Sequence, residues 1–413
     1  MGKKRVVITG VGVISPISIG REEFLNALKA GISGIKPITL FDTNKYKVKV
    51  AGEVKDFDPS LILGKRGLLD LDRATKLLLC SAQLALDESG LEINETNNAD
   101  IGVAVGTTLG SLNSISRFNH ESFTDGPRFA NPSIFPSTVI NSPASRVGIR
   151  FKITGFNSTV STGMCSFIDA LNYAYTFIDF NRVNAVVVGA VEDLSIQTFL
   201  GCYKLQYLSG LTQGHEPLSC PFDNRRDGIL LGEGATTFIV EDLQTALKRK
   251  APIYAEILGM GSCFDPGSYY KYTSNGHGMV RAMDMALKDA KLQAQYIDCI
   301  FANANSTKDA DKIESKAIRE VFCQNQGAGP LVTSVKSFLG EGFSVSGGFS
   351  LAAALGALRD NFIPPILNYS DKDPACDLNY VLNGNGKVPV SRAMINTFSP
   401  HGAASVLIVG KYR

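Results

Sequence analysis

Apolar and polar positions along this chain fall into two alternating rhythms. Short continuous apolar runs at Val6–Thr9, Ile101–Val105 and Ala185–Val191 predict strands covered on both faces. Between them, apolar residues at helical spacing predict helices. One spans Arg73–Ser89, with Asp72 as N-cap and Gly90 as its close; another carries Phe167, Leu171, Ala174 and Ile178 on one face. Ser137 or Thr138 is expected to cap a helix that runs towards Gly148. A charged turn, Asp223–Gly234, leads into a strand at Thr236–Glu241. The grammar then repeats: strand Ile253–Leu258, helix Met279–Lys291, strand Ile297–Ala302, helix Asp309–Phe322 and strand Leu331–Val335. A glycine-rich segment, Gly340–Gly348, leads into a helix at Phe349–Leu358, and strands at Met394–Phe398 and Ser405–Val409 close the chain.

Alternation of this kind predicts an α/β architecture. The two halves, residues 1–250 and 251–413, share a plan of strand, special turn and helix, with the boundary near Leu243–Ala251. A duplicated plan predicts two packed sheets with helices between and around them.

The stretch Gly155–Glu192 has the layout of a nucleophile site. A β-prone run, Ser158–Ser161, ends in Thr162-Gly163, and an amphipathic helix follows at once. Such a turn exposes one side chain where backbone N–H groups and the positive end of the helix dipole favour a thiolate or an oxyanion. Either Met164 or Cys165 occupies it.

Composition narrows the classes. Hydrophobic residues make up 44% and charged residues 19% of 413, as in an ordinary soluble protein with an ample core. A net charge of +2 gives no electrostatic reason to expect nucleic acid or an anionic membrane. The basic and then apolar start is interrupted by Gly10, Gly12 and Pro16 and has no small-residue cleavage site, so it reads as a buried strand. No run reaches the ~18 apolar residues of a membrane span, and a cytoplasmic location is expected. The eight cysteines form no CxxC pair and have no histidine at ligand spacing, which argues against zinc and against a disulfide scaffold. Gly10-x-Gly12-x-x-Ser15 lacks the third glycine and the immediate helix of a dinucleotide loop and is read as strand-end packing. No cofactor or metal is expected.

Ordered motifs then point to a family. They are Val7-Ile-Thr-Gly-Val-Gly, Gly126-Pro-Arg, Pro136-Ser-Thr, Arg226-Asp-Gly with Leu231-Gly-Glu-Gly, Asp311-Lys with Glu314, Lys336-Ser, Pro364-Pro and Cys376-Asp-Leu. In order and spacing the chain resembles, over nearly its full length, the β-ketoacyl-acyl-carrier-protein synthases, especially the elongating type II ketosynthases. The resemblance implies a thiolase-like five-layered αβαβα fold with two pseudo-duplicated halves, a dimer, and carrier-protein substrates. It also implies a nucleophilic cysteine that takes the acyl chain as a thioester, and two histidines that assist decarboxylation and stabilise the enolate. A thiolate is the competent nucleophile, and each N–H donor aimed at a developing oxyanion is worth ~10²–10³ in rate.

Several catalytic positions depart from that pattern. Ser161-Thr162-Gly163 and Ser166 match the nucleophile turn with Met164 in the cysteine position, and Glu192 then registers without a gap. Cys165 comes one residue late, ~100° further round a helix, and a thioether forms no thioester. Asn305 stands where the first histidine belongs, in Asn303-Ala-Asn-Ser-Thr. Glu341 stands where the second belongs, after Lys336-Ser-Phe-Leu-Gly, and Lys336 is retained. The usual Gly-Phe-Gly-Gly gate loop reads Ser399-Pro400-His401-Gly402.

This pattern resembles the chain-length factor, the ketosynthase-like β subunit of type II polyketide synthases. The resemblance implies no intact catalytic residue and a heterodimer with a catalytic ketosynthase α subunit. It implies an acyl carrier protein bearing malonyl or polyketide chains, and an aromatic polyketide or aryl polyene product. Leu109, Leu112, Ile134 and Phe135 become candidates for lining or closing the partner's acyl tunnel. Each methylene accommodated there contributes ~0.8 kcal/mol, and a bulky end residue imposes a stop. The alternative is an atypical β-ketoacyl-ACP synthase that condenses through Cys165, with His401 as its base. His120, His215 and His277 read as surface or loop residues. Glu341 and Lys336 are expected to pair in the vacated pocket, since a buried lone carboxylate is costly.

Overall fold

The computed structural model describes residues 3–267, 271–323, 329–382 and 388–412. The elements that position the site, in chain order, are β1 (Val6–Ser15), α1 (Arg73–Ser89), β2 (Ile101–Gly106), α2 (Leu112–Thr124), β3 (Asn157–Val160), α3 (Ser166–Asp179), β4 (Ala185–Glu192) and β5 (Gly234–Asp242). They continue with β6 (Ala255–Phe264), α4 (His277–Ala290), β7 (Cys299–Phe301), α5 (Lys308–Phe322), β8 (Leu331–Thr333), α6 (Ser344–Asp360), β9 (Arg392–Phe398) and β10 (Ala403–Gly410).

The first half-sheet has the order β1-β5-β4-β2-β3, the second β6-β10-β9-β7-β8. In each, the first two pairings are antiparallel and the last two parallel. Pseudo-duplication is therefore visible in the hydrogen bonding itself: β3 with its turn and α3 corresponds to β8 with its turn and α6. The half-sheets are not separate, as the sequence led us to expect. Val6–Ile8 of β1 pairs with Ala255–Ile257 of β6, so one continuous sheet runs through both.

Apolar packing sorts these elements into layers. α3 and α6 lie between the half-sheets, with Phe167, Leu171, Ile178, Leu351 and Leu355 against Val186, Val188, Phe238, Ile395 and Leu407. The far face of the first half-sheet is covered by Leu77, Leu78 and Ala82 of α1, which pack on Val103, Val187 and Ile239. The far face of the second is covered by Ala282, Met283, Ala286, Ala317 and Ile318 of α4 and α5, which pack on Ile300, Met394 and Val406. Helix, sheet, helix, sheet, helix is the five-layered αβαβα arrangement.

α1 has the caps that its sequence predicts: Asp72 accepts from the Thr75 N–H at 2.7 Å and Gly90 closes it at φ 62°. Elsewhere the structure corrects local expectations. α6 begins at Ser344 and takes Gly347 and Gly348 into its interior. A Cβ on Gly348 would lie 1.9 Å from Thr236 Oγ1, so close approach to β5 outweighs the low helix propensity of glycine. Gly10 and Gly12 lie within β1 and not at its end; a Cβ on Gly12 would fall 1.8 Å from the Ser81 carbonyl of α1. Ser137 and Thr138 do not cap the helix that follows. They form a separate 3-10 turn, Phe135–Thr138, and the helix starts at Ser142 after Asn141. Among the described residues no helix is long and apolar enough to cross a membrane.

Candidate functional site

The site lies where the turn after β3 packs on β9, β10 and α6. A 3-10 turn, Gly163–Cys165, joins β3 to α3. Gly163 sits at φ 65°, a left-handed backbone conformation that favours glycine. The turn is tied by its own side chains: the Ser166 hydroxyl donates to the Gly163 carbonyl at 2.5 Å, and the Thr162 N–H donates to Ser166 Oγ at 3.0 Å.

Met164 and Cys165 are both buried but face different partners. The Tyr272 hydroxyl lies 3.9 Å from Met164 Sδ and donates to the Phe398 carbonyl at 2.9 Å. The Cys165 thiol donates to the Thr397 carbonyl at 3.1 Å and reaches the Ala403 carbonyl at 3.3 Å. Burial pushes the Cys165 thiol up to about 12, with the Asp169 carboxylate adding to the rise. A thiol so placed is almost wholly protonated at neutral pH, and the nucleophile is the thiolate.

Lys336, Asn303, Asn305 and Glu341 converge beside this turn. Lys336 Nζ donates to Glu341 Oε2 at 2.8 Å, to the Asn303 carbonyl at 2.6 Å and to Asn303 Oδ1 at 3.1 Å. The expected Lys336–Glu341 pair is thus present, with both residues buried. Asn305 Nδ2 donates to the same Glu341 oxygen at 3.1 Å. The other oxygen, Oε1, accepts from the Phe343 N–H at 2.9 Å and from Ser346 Oγ at 3.0 Å. Asn303 Nδ2 donates to the Phe398 carbonyl at 3.1 Å, the acceptor that Tyr272 shares.

The ammonium, Glu341 Oε2 and the Asn305 amide are committed to one another, and Glu341 Oε1 to Phe343 and Ser346. A carboxylate accepts hydrogen bonds and repels a developing oxyanion, whereas an imidazole N–H stabilises it. A cavity of about 20 Å³, room for a water, is lined by Tyr272, Phe398, Ser399 and Gly402, among others.

Ser399–Gly402, where the resemblance expects a gate loop, is a hairpin tip between β9 and β10. The Gly402 N–H donates to the Ser399 carbonyl at 3.0 Å, and the His401 ring is exposed. His120 and His277 are also exposed. His215 is partly buried, with its ring nitrogens 2.7 Å from the Glu216 carbonyl and 3.0 Å from the Arg225 carbonyl.

Leu109 and Leu112 are half-buried at the loop that enters α2, Ile134 is half-buried, and Phe135 is 58% exposed. The Phe135 ring packs on Phe118 of α2 at 5.6 Å between centroids. Ile134 also lines a cavity of about 340 Å³ whose other walls include Asp72, Arg73, Asn113 and Arg117, a more polar surround than an acyl tunnel predicts.

Sequence reasoning did not single out Tyr272. It lies in a segment without helical or strand periodicity, and it meets Met164 only through the fold. Asn303 was visible only as part of its motif.

Fold and site together define a condensing-enzyme scaffold. The chain belongs to the β-ketoacyl synthase family: the model described as "Beta-ketoacyl synthase, N-terminal domain" matches residues 3–246, and "Beta-ketoacyl synthase, C-terminal domain" matches residues 254–370. It is 34% identical to the 3-oxoacyl-[acyl-carrier-protein] synthase 2 of Coxiella burnetii, covering 100% of this chain and 99% of that one. It is 33% identical to the tetracenomycin polyketide synthase ketoacyl synthase alpha subunit of Streptomyces glaucescens, covering 92% of this chain and 91% of that one. Among solved structures it superposes on the ishigamide ketosynthase/chain length factor with a TM-score of 0.92 at 31% identity, each chain being covered to 100%.

Proposed function

We propose that this chain is a chain-length factor, a ketosynthase-like subunit that pairs with a catalytic ketosynthase and shapes the tunnel in which that partner extends an acyl or polyketide chain. One observation carries the reading. Glu341, bonded to both Lys336 and Asn305, fills the position where the resemblance calls for an imidazole, beside a thioether where it calls for a thiol. Similarity to the ishigamide ketosynthase/chain length factor supports it. In this reading the partners are a ketosynthase α subunit and an acyl carrier protein. One chain of a solved structure of a type II polyketide synthase acyl-carrier protein in complex with its ketosynthase resembles this chain at a TM-score of 0.91 and 27% identity, with full coverage of both chains. Leu109, Leu112, Ile134 and Phe135 would face the shared tunnel, and Pro400 and His401 would form a fixed gate loop.

The curated relatives favour a second reading, because those named above are synthases. In it the chain is an atypical β-ketoacyl-ACP synthase that performs decarboxylative Claisen condensation through Cys165. Burial of that thiol and its rise to about 12 weigh against it.

Intact-protein mass spectrometry with an acyl-carrier-protein donor separates the two, run on the chain alone and on the chain co-purified with a ketosynthase. We expect no acyl adduct on this chain and one on the partner. A thioester on Cys165 would overturn the first reading.

A further inference from the structure

We propose that Glu192 is a positioning residue for product length: its carboxylate sets where Leu109 stands in the tunnel wall that this chain offers its partner. The proposal rests on the chain-length reading.

Glu192 ends β4 and is 1% exposed. Its Oε1 accepts from the Thr108 N–H and, at 2.7 Å, from the Ser344 hydroxyl; its Oε2 accepts from the Leu109 N–H at 3.3 Å. Two successive N–H groups of the loop after β2 thus point at one carboxylate, which fixes the peptide planes on either side of Thr108 and hence the origin of the Leu109 side chain. The loop is tied at two further points. The Gly110 N–H donates to Thr107 Oγ1 at 3.0 Å, and the Thr108 hydroxyl donates to the Gly163 carbonyl of the degenerate nucleophile turn at 3.0 Å.

Ser344 is the first residue of α6, whose entry is held by Glu341 through the Phe343 N–H and Ser346 Oγ. Hydrogen bonds therefore run from Lys336 and Glu341, across the start of α6, to Glu192 and on to Leu109. The pocket that has lost its imidazoles still braces the loop. A carboxylate aimed at backbone N–H groups is a device for orientation, since it holds a main chain without adding bulk to the wall.

The test uses the heterodimer co-expressed with its ketosynthase, with product length read by mass spectrometry. Glu192→Gln replaces one acceptor oxygen with a donor, so the Thr108 and Leu109 N–H groups are no longer both satisfied. We expect the modal product to shift by at least one extension unit or the distribution to broaden. Leu109→Ala should shift it too, and the double variant should shift no further than Leu109→Ala, because no side chain remains to be placed. Ser344→Ala, which keeps the carboxylate and removes one donor, should give a smaller shift in the same direction, and it decides the matter if Glu192→Gln does not assemble.

A lower melting temperature with an unchanged product distribution, while Leu109→Ala still shifts it, would overturn the positioning role and leave the chain-length reading standing. An unchanged distribution in Leu109→Ala as well would remove the chain-length reading, and this inference with it.

Discussion

Lys336 Nζ and Glu341 Oε2 stand 2.8 Å apart in a site where both side chains are almost wholly shielded from water. Breaking a buried pair by removing one partner is far costlier than replacing both, because the survivor keeps its desolvation penalty without its attraction. Glu341→Ala should therefore destabilise the chain by about 3–5 kcal/mol in urea unfolding. Lys336→Met combined with Glu341→Leu should recover most of that loss. A single-variant cost no larger than that of a surface ion pair would mean that the two groups are not charged together in the folded state.

Cys165 should resist alkylation in the native protein. With its thiol held at about 12, the thiolate fraction at neutral pH is on the order of 10³ below that of an ordinary exposed cysteine. Burial against β9 and β10 slows access further. Iodoacetamide labelling followed by peptide mass spectrometry should find Cys165 unmodified until denaturant is added. Rapid labelling in native buffer would contradict the placement of this thiol.

Asp193, next to Glu192, gives a pH dependence with a definite sign. Burial pushes its carboxyl up from 3.8 to about 7, Asn113 opposes the rise by donating to it, and the nearby Asp72, Glu233 and Glu192 carboxylates add to it. The folded state therefore holds a proton that the unfolded chain releases near 4. This group's contribution to stability falls as pH climbs from about 4 to 7, and is constant above that. Asp193→Asn imitates the neutral acid and removes the dependence. In urea unfolding, the variant should gain on the native protein between about pH 5 and about pH 8. Equal differences at the two pH values would show that Asp193 is ionised throughout.

Some of the fold was legible from local pattern alone. The ends of α1 were readable because an aspartate cap and an αL glycine act within a few residues of their own helix. The start of α6 was not, because Gly347 and Gly348 look like loop residues until Thr236 and Thr397 are known to press against them. Tyr272 fills the space beside Met164 from a segment 108 positions away, and nothing in its neighbours marks it.

The nucleophile turn shows the same division. Residue types and their spacing by themselves put Met164, Asn305 and Glu341 at the positions where the resemblance expects a cysteine and two histidines. Register along the chain is a local property, and counting residues reads it. The pairing of Lys336 with Glu341 was legible in the sequence; only the tertiary structure decided that Asn305 would hold the same carboxylate, that Tyr272 would stand beside Met164, and that Glu192 would reach two N–H groups of the Leu109 loop. The contacts that the fold decided join residues between 36 and 108 positions apart. Their strength comes from burial between the layers, which arises only when the two halves pack together.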